Sequence, residues 1–521
     1  MTEPAIFRAE GGTADRRQRL GGGAAVTMVG RLVGRAVRFA SQAVLGALLG
    51  PALFGVYALC WSVLRSLGLL ATLGMHNAVI RFGSQGAQEG SVRTGFRRLA
   101  GRCAALAGLG GVVAGAALFG LADWFAVSVF EIPELALALR VTATVLPALT
   151  VTLVAAAATR VTQRMFYGVV IEDVVQPGTN LVLIGVMVMG MGWGLTGSLV
   201  ALLMSYLASA TFATRTVWKL FASPGDREDV APERTVDILR YALPTALAGA
   251  LGNYAMWVDR FFLGIYRPAA EVGLYQAAAQ VAGLFALVLT AFNAILGPMI
   301  AESAAGGDAR GMSMTFKAAT KWGVYLSVPA ALVVLFSGRD VLVTLFGLRY
   351  ADASSTLTIL LVGQFVNLAT GAVGITLMLT GHQRRWLAIT FLGAVVNAVV
   401  NVMLIPRMGA DGAAIATTVT LILVYPLGAH RVHRLFGFLG VDRSWINGLM
   451  AAGGTAVVLL GMRVVPVGHP AVKVALHGIV ACVVFFLILL AVDRSGHDRQ
   501  LARWIWARVT DTVQARGRGE R

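Results

Sequence analysis

Arg31, Arg35 and Arg38 recur at i, i+4 and i+7, and Gln42 follows at i+11, so all four share one helix face. A guanidinium is a planar fork that grips phosphate or carboxylate through paired N–H donors. The apolar run that follows ends at Gly50-Pro51. Counting back the roughly 20 residues that a helix needs to cross a bilayer puts the three arginines at membrane depth or at its edge. Such a stripe has two physical outlets. It lines a wet lumen that holds an anion, or it snorkels to lipid headgroups. Arg65, Arg140 and Arg260 add three more cations within apolar runs. One acid stands clearly among them, Asp259, beside Arg260. It is a candidate proton or sodium site, or half of a structural pair with Arg260. Arg31, Arg35, Arg38, Arg65 and Arg260 are therefore the candidate walls of a cationic cavity. That sign favours an anion and disfavours a cationic drug.

Amides supply the second chemistry. Gln42, Asn253, Gln276, Gln280, Asn293, Gln364, Asn367 and Asn397 all lie in apolar segments. Gln276 and Gln280 share a face, as do Gln364 with Asn367 and Asn397 with Asn401. Amides at depth bond sugar hydroxyls or bind helices to one another. Pro298 interrupts the span that carries Asn293.

The elements that position these groups are transmembrane helices. The chain of 521 residues is 57% hydrophobic and only 13% charged, with a mean hydropathy of +0.74. Soluble domains carry about 25% charged residues. Apolar runs of about 20 residues recur along almost the whole chain. Lipid leaves no backbone group unpaired, so each run is expected as a helix. The expected architecture is an all-α polytopic membrane protein of fourteen helices. Residues 1–23 form a cytoplasmic tail, 24–217 a six-helix lobe and 218–236 a cytoplasmic linker. Residues 237–434 form a second six-helix lobe, 435–492 helices 13 and 14, and 493–521 a basic amphipathic tail with Trp504 and Trp506. Phe54-Gly55-Val56-Tyr57 matches Val272-Gly273-Leu274-Tyr275 at an offset of 218, and Asn180 matches Asn397 at 217. An even number of spans per half makes this a parallel repeat, able to rock about a central cleft.

The net charge of +17 follows the positive-inside pattern, because most of the 43 Lys and Arg fall in the tails and in loops assigned to the cytoplasm. Both termini are placed there, and no nucleic-acid partner is expected. Cys60, Cys103 and Cys482 fit no metal or redox spacing. No phosphate-cradling GxxxxGK[ST] loop, HExxH or GxSxG occurs. The few acids in spans form no recognisable acid/base pair. No catalytic residue, metal or cofactor is therefore expected, and the reading is a transporter.

The segments WVDRFFLG, VGLYQAAAQVAG, AFNAILGPMIAE, LTGHQRR and NVMLIPRMGADGAAIATT closely resemble the polysaccharide-transporter branch of the multidrug/oligosaccharidyl-lipid/polysaccharide exporter superfamily. The likeness is strongest over about 250–420 and weaker over 24–80. It implies two six-helix lobes forming a V, a peripheral helix pair, and a place in a bacterial inner membrane. It implies a flippase that moves a polyprenyl-pyrophosphate-linked oligosaccharide, an O-antigen or exopolysaccharide unit, to the periplasmic leaflet. Polymerase or other assembly proteins are the implied partners. The arginine stripe also resembles that of lipid II flippases in the same superfamily. The alternatives are a multidrug/cation antiporter of that superfamily and a non-transporting scaffold of a polysaccharide synthesis complex.

Overall fold

The computed structural model describes residues 13–88, 96–161, 165–221, 234–254, 257–306, 308–440, 445–463 and 468–492. The N-terminal residues 1–12, residues 222–233 of the expected linker, the tail 493–521 with its tryptophans, and the side chains of Asn253 and Pro298 lie outside the described residues. Among the described residues every regular element is helical. Eleven helices are long and apolar enough to cross a membrane. The chain is a multi-pass membrane protein.

The helices run in the order α1 (Thr13–Ala71), α2 (Met75–Gln88), α3 (Phe96–Trp124), α4 (Leu135–Arg160), α5 (Met165–Val169), α6 (Gln176–Ile184), α7 (Gly194–Leu220), α8 (Thr235–Tyr254) and α9 (Val258–Tyr266). They continue as α10 (Ala269–Ala305), α11 (Ala309–Phe346), α12 (Ser354–Thr370), α13 (Val373–Leu379), α14 (Gln383–Phe436), α15 (Trp445–Met462) and α16 (Pro470–Val492). Two of the longest helices are broken internally. In α1, Gly50 takes φ 73° and ψ 171°, and Pro51 restarts the helix. Glycine lacks the Cβ that makes this conformation costly, and proline suits a first turn because its missing N–H has no helical partner there. In α14 the break is at Gly409, φ 55°. Each break divides one long helix into two helical segments.

The helices divide into two compact units. The first comprises Met1–Gln280 with Ala394–Ala416, the second Val281–Gly393 with Thr417–Arg521. In the first unit, α3 buries Cys103, Ala107, Gly111, Gly115 and Ala122 on one side and exposes Leu109, Val112 and Val113 on the other. Small residues face protein, and large apolar residues face outward where lipid would cover them. The core gathers Met75, Val79, Phe96, Val154, Ile171, Val217 and Ile238 from six different elements.

In the second unit, Leu296, Ile300, Met312, Phe316, Val373, Leu377, Val432 and Phe438 form the core. The Asp308 side chain accepts from the Gly311 N–H at 2.8 Å and caps α11. α16 is fastened to α11 by polar contacts within otherwise apolar helices. Ser337 Oγ lies 2.6 Å from His477 Nδ1, and Lys473 Nζ lies 2.8 Å from Asp340 Oδ2.

Candidate functional site

Two polar centres stand out in the first unit. The first is built on a π-helical turn, Val170–Val175, between α5 and α6. A π turn inserts one extra residue and re-aims its neighbours, a device common at functional sites. Here consecutive acids serve opposite neighbours. Glu172 turns to α4, where Arg160 Nη2 donates to Oε1 at 2.9 Å and to Oε2 at 2.7 Å. Asp173 turns to α1, where its Oδ1 lies 3.5 Å from Arg38 Nη2. The same Arg38 nitrogen donates to the main-chain carbonyl of Glu172 at 3.1 Å. α1 approaches this turn so closely that a Cβ on Gly34 would stand 2.1 Å from the Asp173 carbonyl oxygen. Arg31 and Arg65 lie in electrostatic range of the Glu172 carboxylate, and Arg31 and Arg35 in range of that of Asp173. Five guanidiniums thus lie within electrostatic range of one or both carboxylates, two of them in direct contact.

The second centre is Asp259, only 4% exposed, in the first turn of α9. Its Oδ2 accepts from the Tyr275 hydroxyl at 2.8 Å, and its Oδ1 from Asn401 Nδ2 at 2.8 Å. Asn401 Nδ2 also donates to Asn397 Oδ1 at 2.9 Å. The positive end of the α9 dipole adds to these donors. Arg260 points its Nε at Gln276 Oε1, 2.7 Å away, and lies over the rings of Trp257 and Tyr275. The sequence match at offsets of 217–218 pairs this centre with a second set of residues. Tyr57 corresponds to Tyr275, Asn180 to Asn397, and at the latter's offset Gln42 stands where Asp259 does. Gln42 and Asn180 flank the Tyr57 hydroxyl. Gln42 Oε1, Tyr57 Oη and Asn180 Oδ1 are all buried without a hydrogen bond of ordinary geometry.

The expected site residues therefore separate. Arg31, Arg35, Arg38 and Arg65 come together around the two acids, and Arg31 is exposed. Arg260, Gln276 and Asn397 assemble around Asp259, with Gln280 partly buried one turn beyond Gln276. Asn293, Gln364 and Asn367 belong to the second unit, each with an amide oxygen buried and unbonded. Arg140 pairs with Asp123 at 2.5 Å. A pocket of about 460 Å³ in the second unit, lined by Ser303, Met312, Thr380 and Phe436 among others, touches none of the expected site residues.

With this geometry in hand, comparison with known proteins is informative. A family model described as "Polysaccharide biosynthesis protein" matches residues 20–304, more than half of the chain. The chain belongs to the polysaccharide biosynthesis protein family. A second family model, MatE, matches residues 244–403. Among curated relatives of Haloferax volcanii, the chain is 26% identical over 278 residues to "Probable flippase AglR", covering 52% of this chain and 58% of that protein. It is 22% identical over 230 residues to "Probable low-salt glycan biosynthesis flippase Agl15", covering 43% and 48%. The chain thus spans about half the length of the curated relatives it matches. Its fold is that of the multidrug/oligosaccharidyl-lipid/polysaccharide exporter superfamily. The inward-closed structure of the lipid II flippase MurJ matches at TM-score 0.65, 12% identity, over 89% of this chain and 97% of that one. An inward-facing multidrug resistance MATE transporter matches at TM-score 0.64, 18% identity, over 78% and 98%.

In this polysaccharide biosynthesis protein the expected excess of six arginines over one acid is corrected. Glu172 and Asp173 lie inside the candidate span Phe166–Gly190 and bond two arginines directly. Sequence reasoning also passed over Arg160, placed just beyond its span, and Tyr275 and Asn401 as partners of Asp259. The i, i+4 spacing of Asn397 and Asn401 signals the last of these. The repeated tyrosine signals Tyr275.

Proposed function

We propose that this family member is a non-enzymatic flippase. It carries a polyprenyl-pyrophosphate-linked oligosaccharide from the cytoplasmic to the periplasmic leaflet of a bacterial inner membrane. The observation that carries the reading is the gathering of Arg31, Arg35, Arg38, Arg65 and Arg160 within electrostatic range of Glu172 and Asp173, in or beside helices apolar enough to cross a membrane. A diphosphate diester carries charge of the opposite sign and the oxygen geometry that arginine forks recognise. The flippase names of the relatives and the family assignment support the same reading.

Fourteen spans in two parallel six-helix lobes plus a peripheral pair are the proposed topology. The breaks at Gly50 and Gly409 support it, since each divides one continuous helix into two spans. Both termini are proposed to be cytoplasmic. The headgroup pairs with Arg31, Arg35, Arg38 and Arg65, and Arg260 completes the cationic lining. Amides along the path, Gln42, Asn253, Gln276, Gln280, Asn293, Gln364, Asn367 and Asn397, hold the sugars. The lipid tail stays in the bilayer, and rocking of the lobes exposes the headgroup outside. Asp259 is the proposed ion-coupling residue. A buried carboxylate that accepts from the Tyr275 hydroxyl and the Asn401 amide can bind a proton or sodium and release it when those donors move. A polymerase or other assembly protein is the proposed partner that consumes the product.

Leaflet-resolved flipping in liposomes with a defined lipid-linked sugar tests the reading. Arg35→Ala and Arg65→Ala each slow translocation, and unchanged rates in both remove the anion site.

A further inference from the structure

The two acids at the arginine cluster pose a physical question. Aspartate and glutamate are expensive at membrane depth, and an anion site without them would hold its ligand more tightly. Five unaccompanied guanidiniums would repel one another strongly where the dielectric is low. Glu172 and Asp173 relieve that repulsion, and their bonds have the character of a temporary arrangement. Both Glu172 oxygens are held by one nitrogen of Arg160, so the remaining donors of that fork are not spent on this carboxylate. The Arg38 to Asp173 contact is 3.5 Å, long for an ion pair. The four side chains are 15–41% exposed, so a ligand can reach them. A carboxylate and a phosphate present the same pair of acceptor oxygens to a guanidinium.

We propose that Glu172 and Asp173 are resident counter-ions that the phosphate group of an incoming lipid displaces. Arg160 and Arg38 then transfer from carboxylate to phosphate. Arg160 thereby becomes a substrate-binding residue, and the two acids set affinity by competing for the same donors. They keep binding weak enough for release on the far side. The inference rests on the proposed anion site and adds residues and a direction of effect to it.

The test measures binding of farnesyl diphosphate to the full-length protein in nanodiscs by microscale thermophoresis. Inorganic pyrophosphate serves as the parallel arm without a lipid tail. The E172Q/D173N double variant removes both competitors and keeps the side-chain shapes. It is expected to bind farnesyl diphosphate about tenfold more tightly. Arg160→Gln is expected to bind about tenfold more weakly. Equal tightening with inorganic pyrophosphate supports the displacement and assigns it to the phosphate alone. Tightening confined to the lipid supports it with the tail required. Wild-type binding that the double variant leaves unchanged or weakens overturns the inference and leaves the anion site standing. Absence of binding to the wild type overturns both. If the double variant does not fold, Glu172→Gln alone decides by the same criteria.

Discussion

Gly55 and Gly273, which match in sequence at an offset of 218, face each other across a backbone contact. A Cβ built on Gly55 would stand 3.0 Å from the Gly273 nitrogen and 1.7 Å from the Ala269 carbonyl oxygen. One on Gly273 would stand 3.1 Å from the Gly55 nitrogen and 2.0 Å from the Pro51 carbonyl oxygen. The two matching segments therefore meet through a glycine that each needs to be smallest. Gly55→Ala and Gly273→Ala are each expected to destabilise the protein by about 1–3 kcal/mol through overpacking. Because one separation relieves both clashes, the double variant loses less than the sum. Thermal unfolding in detergent measures all three, and additive losses would mean that the contact is not shared.

The approach of α1 to the π turn gives a parallel prediction. Gly34→Ala places a methyl 2.1 Å from the Asp173 carbonyl oxygen, main chain that cannot rotate away. The expected loss is about 1–3 kcal/mol of stability. The ion pair of Arg38 with Asp173 is lengthened further. A melting curve identical to wild type would contradict the packing described.

At the second centre, Tyr275→Phe leaves a buried oxygen of Asp259 short of one donor, at a cost of about 1–3 kcal/mol. Asp259→Asn is near-isosteric and removes the charge. If Asp259 couples an ion to transport, stimulation by the ion gradient disappears. A coupling of 1–3 kcal/mol corresponds to about 5–150-fold in affinity. Flipping measured with and without proton and sodium gradients separates the cases. Retained gradient stimulation in Asp259→Asn excludes this residue as the coupling site.

His76 sits in α2, outside the candidate spans. The Thr72 hydroxyl donates to the Leu69 carbonyl, so it accepts from His76 Nδ1–H at 3.1 Å. Burial first, and the Arg160 charge second, hold the imidazole below the usual histidine range. The folded state thus binds fewer protons than the unfolded chain. The contribution to stability is complete above the unfolded value and is lost as pH falls through the lower folded one. Melting temperature should decline between about pH 7 and pH 5, and His76→Gln should flatten that decline. A slope of the same size in His76→Gln would assign the effect to another group.

Much of the fold was legible because membrane spans are read from length and hydropathy, which are local. The helix break at Gly50-Pro51 was visible for the same reason, since one dipeptide encodes it. The arginine stripe was legible as helical periodicity. Its partners were not, because Glu172 lies 134 residues from Arg38. A π turn also breaks the 3.6-residue count that would have placed the acids on a face. Asn397 with Asn401 could be seen as a pair. That Asn401 would bond Asp259, 142 residues away, is a tertiary fact with no local signal.

The order in which the charged partners occur along the chain bears on biogenesis. A helix carrying Glu172 and Asp173 leaves the translocon with two acids that lipid resists by about 2.5–3.5 kcal/mol for a central aspartate. Arg38 on α1 and Arg160 on α4 are synthesised earlier, so their helices already wait in the bilayer when the acidic segment emerges. Insertion of the candidate span Phe166–Gly190 is thus assisted by neighbours laid down before it. A truncated nascent chain lacking α1 and α4 would strand that segment at the ribosome-facing surface.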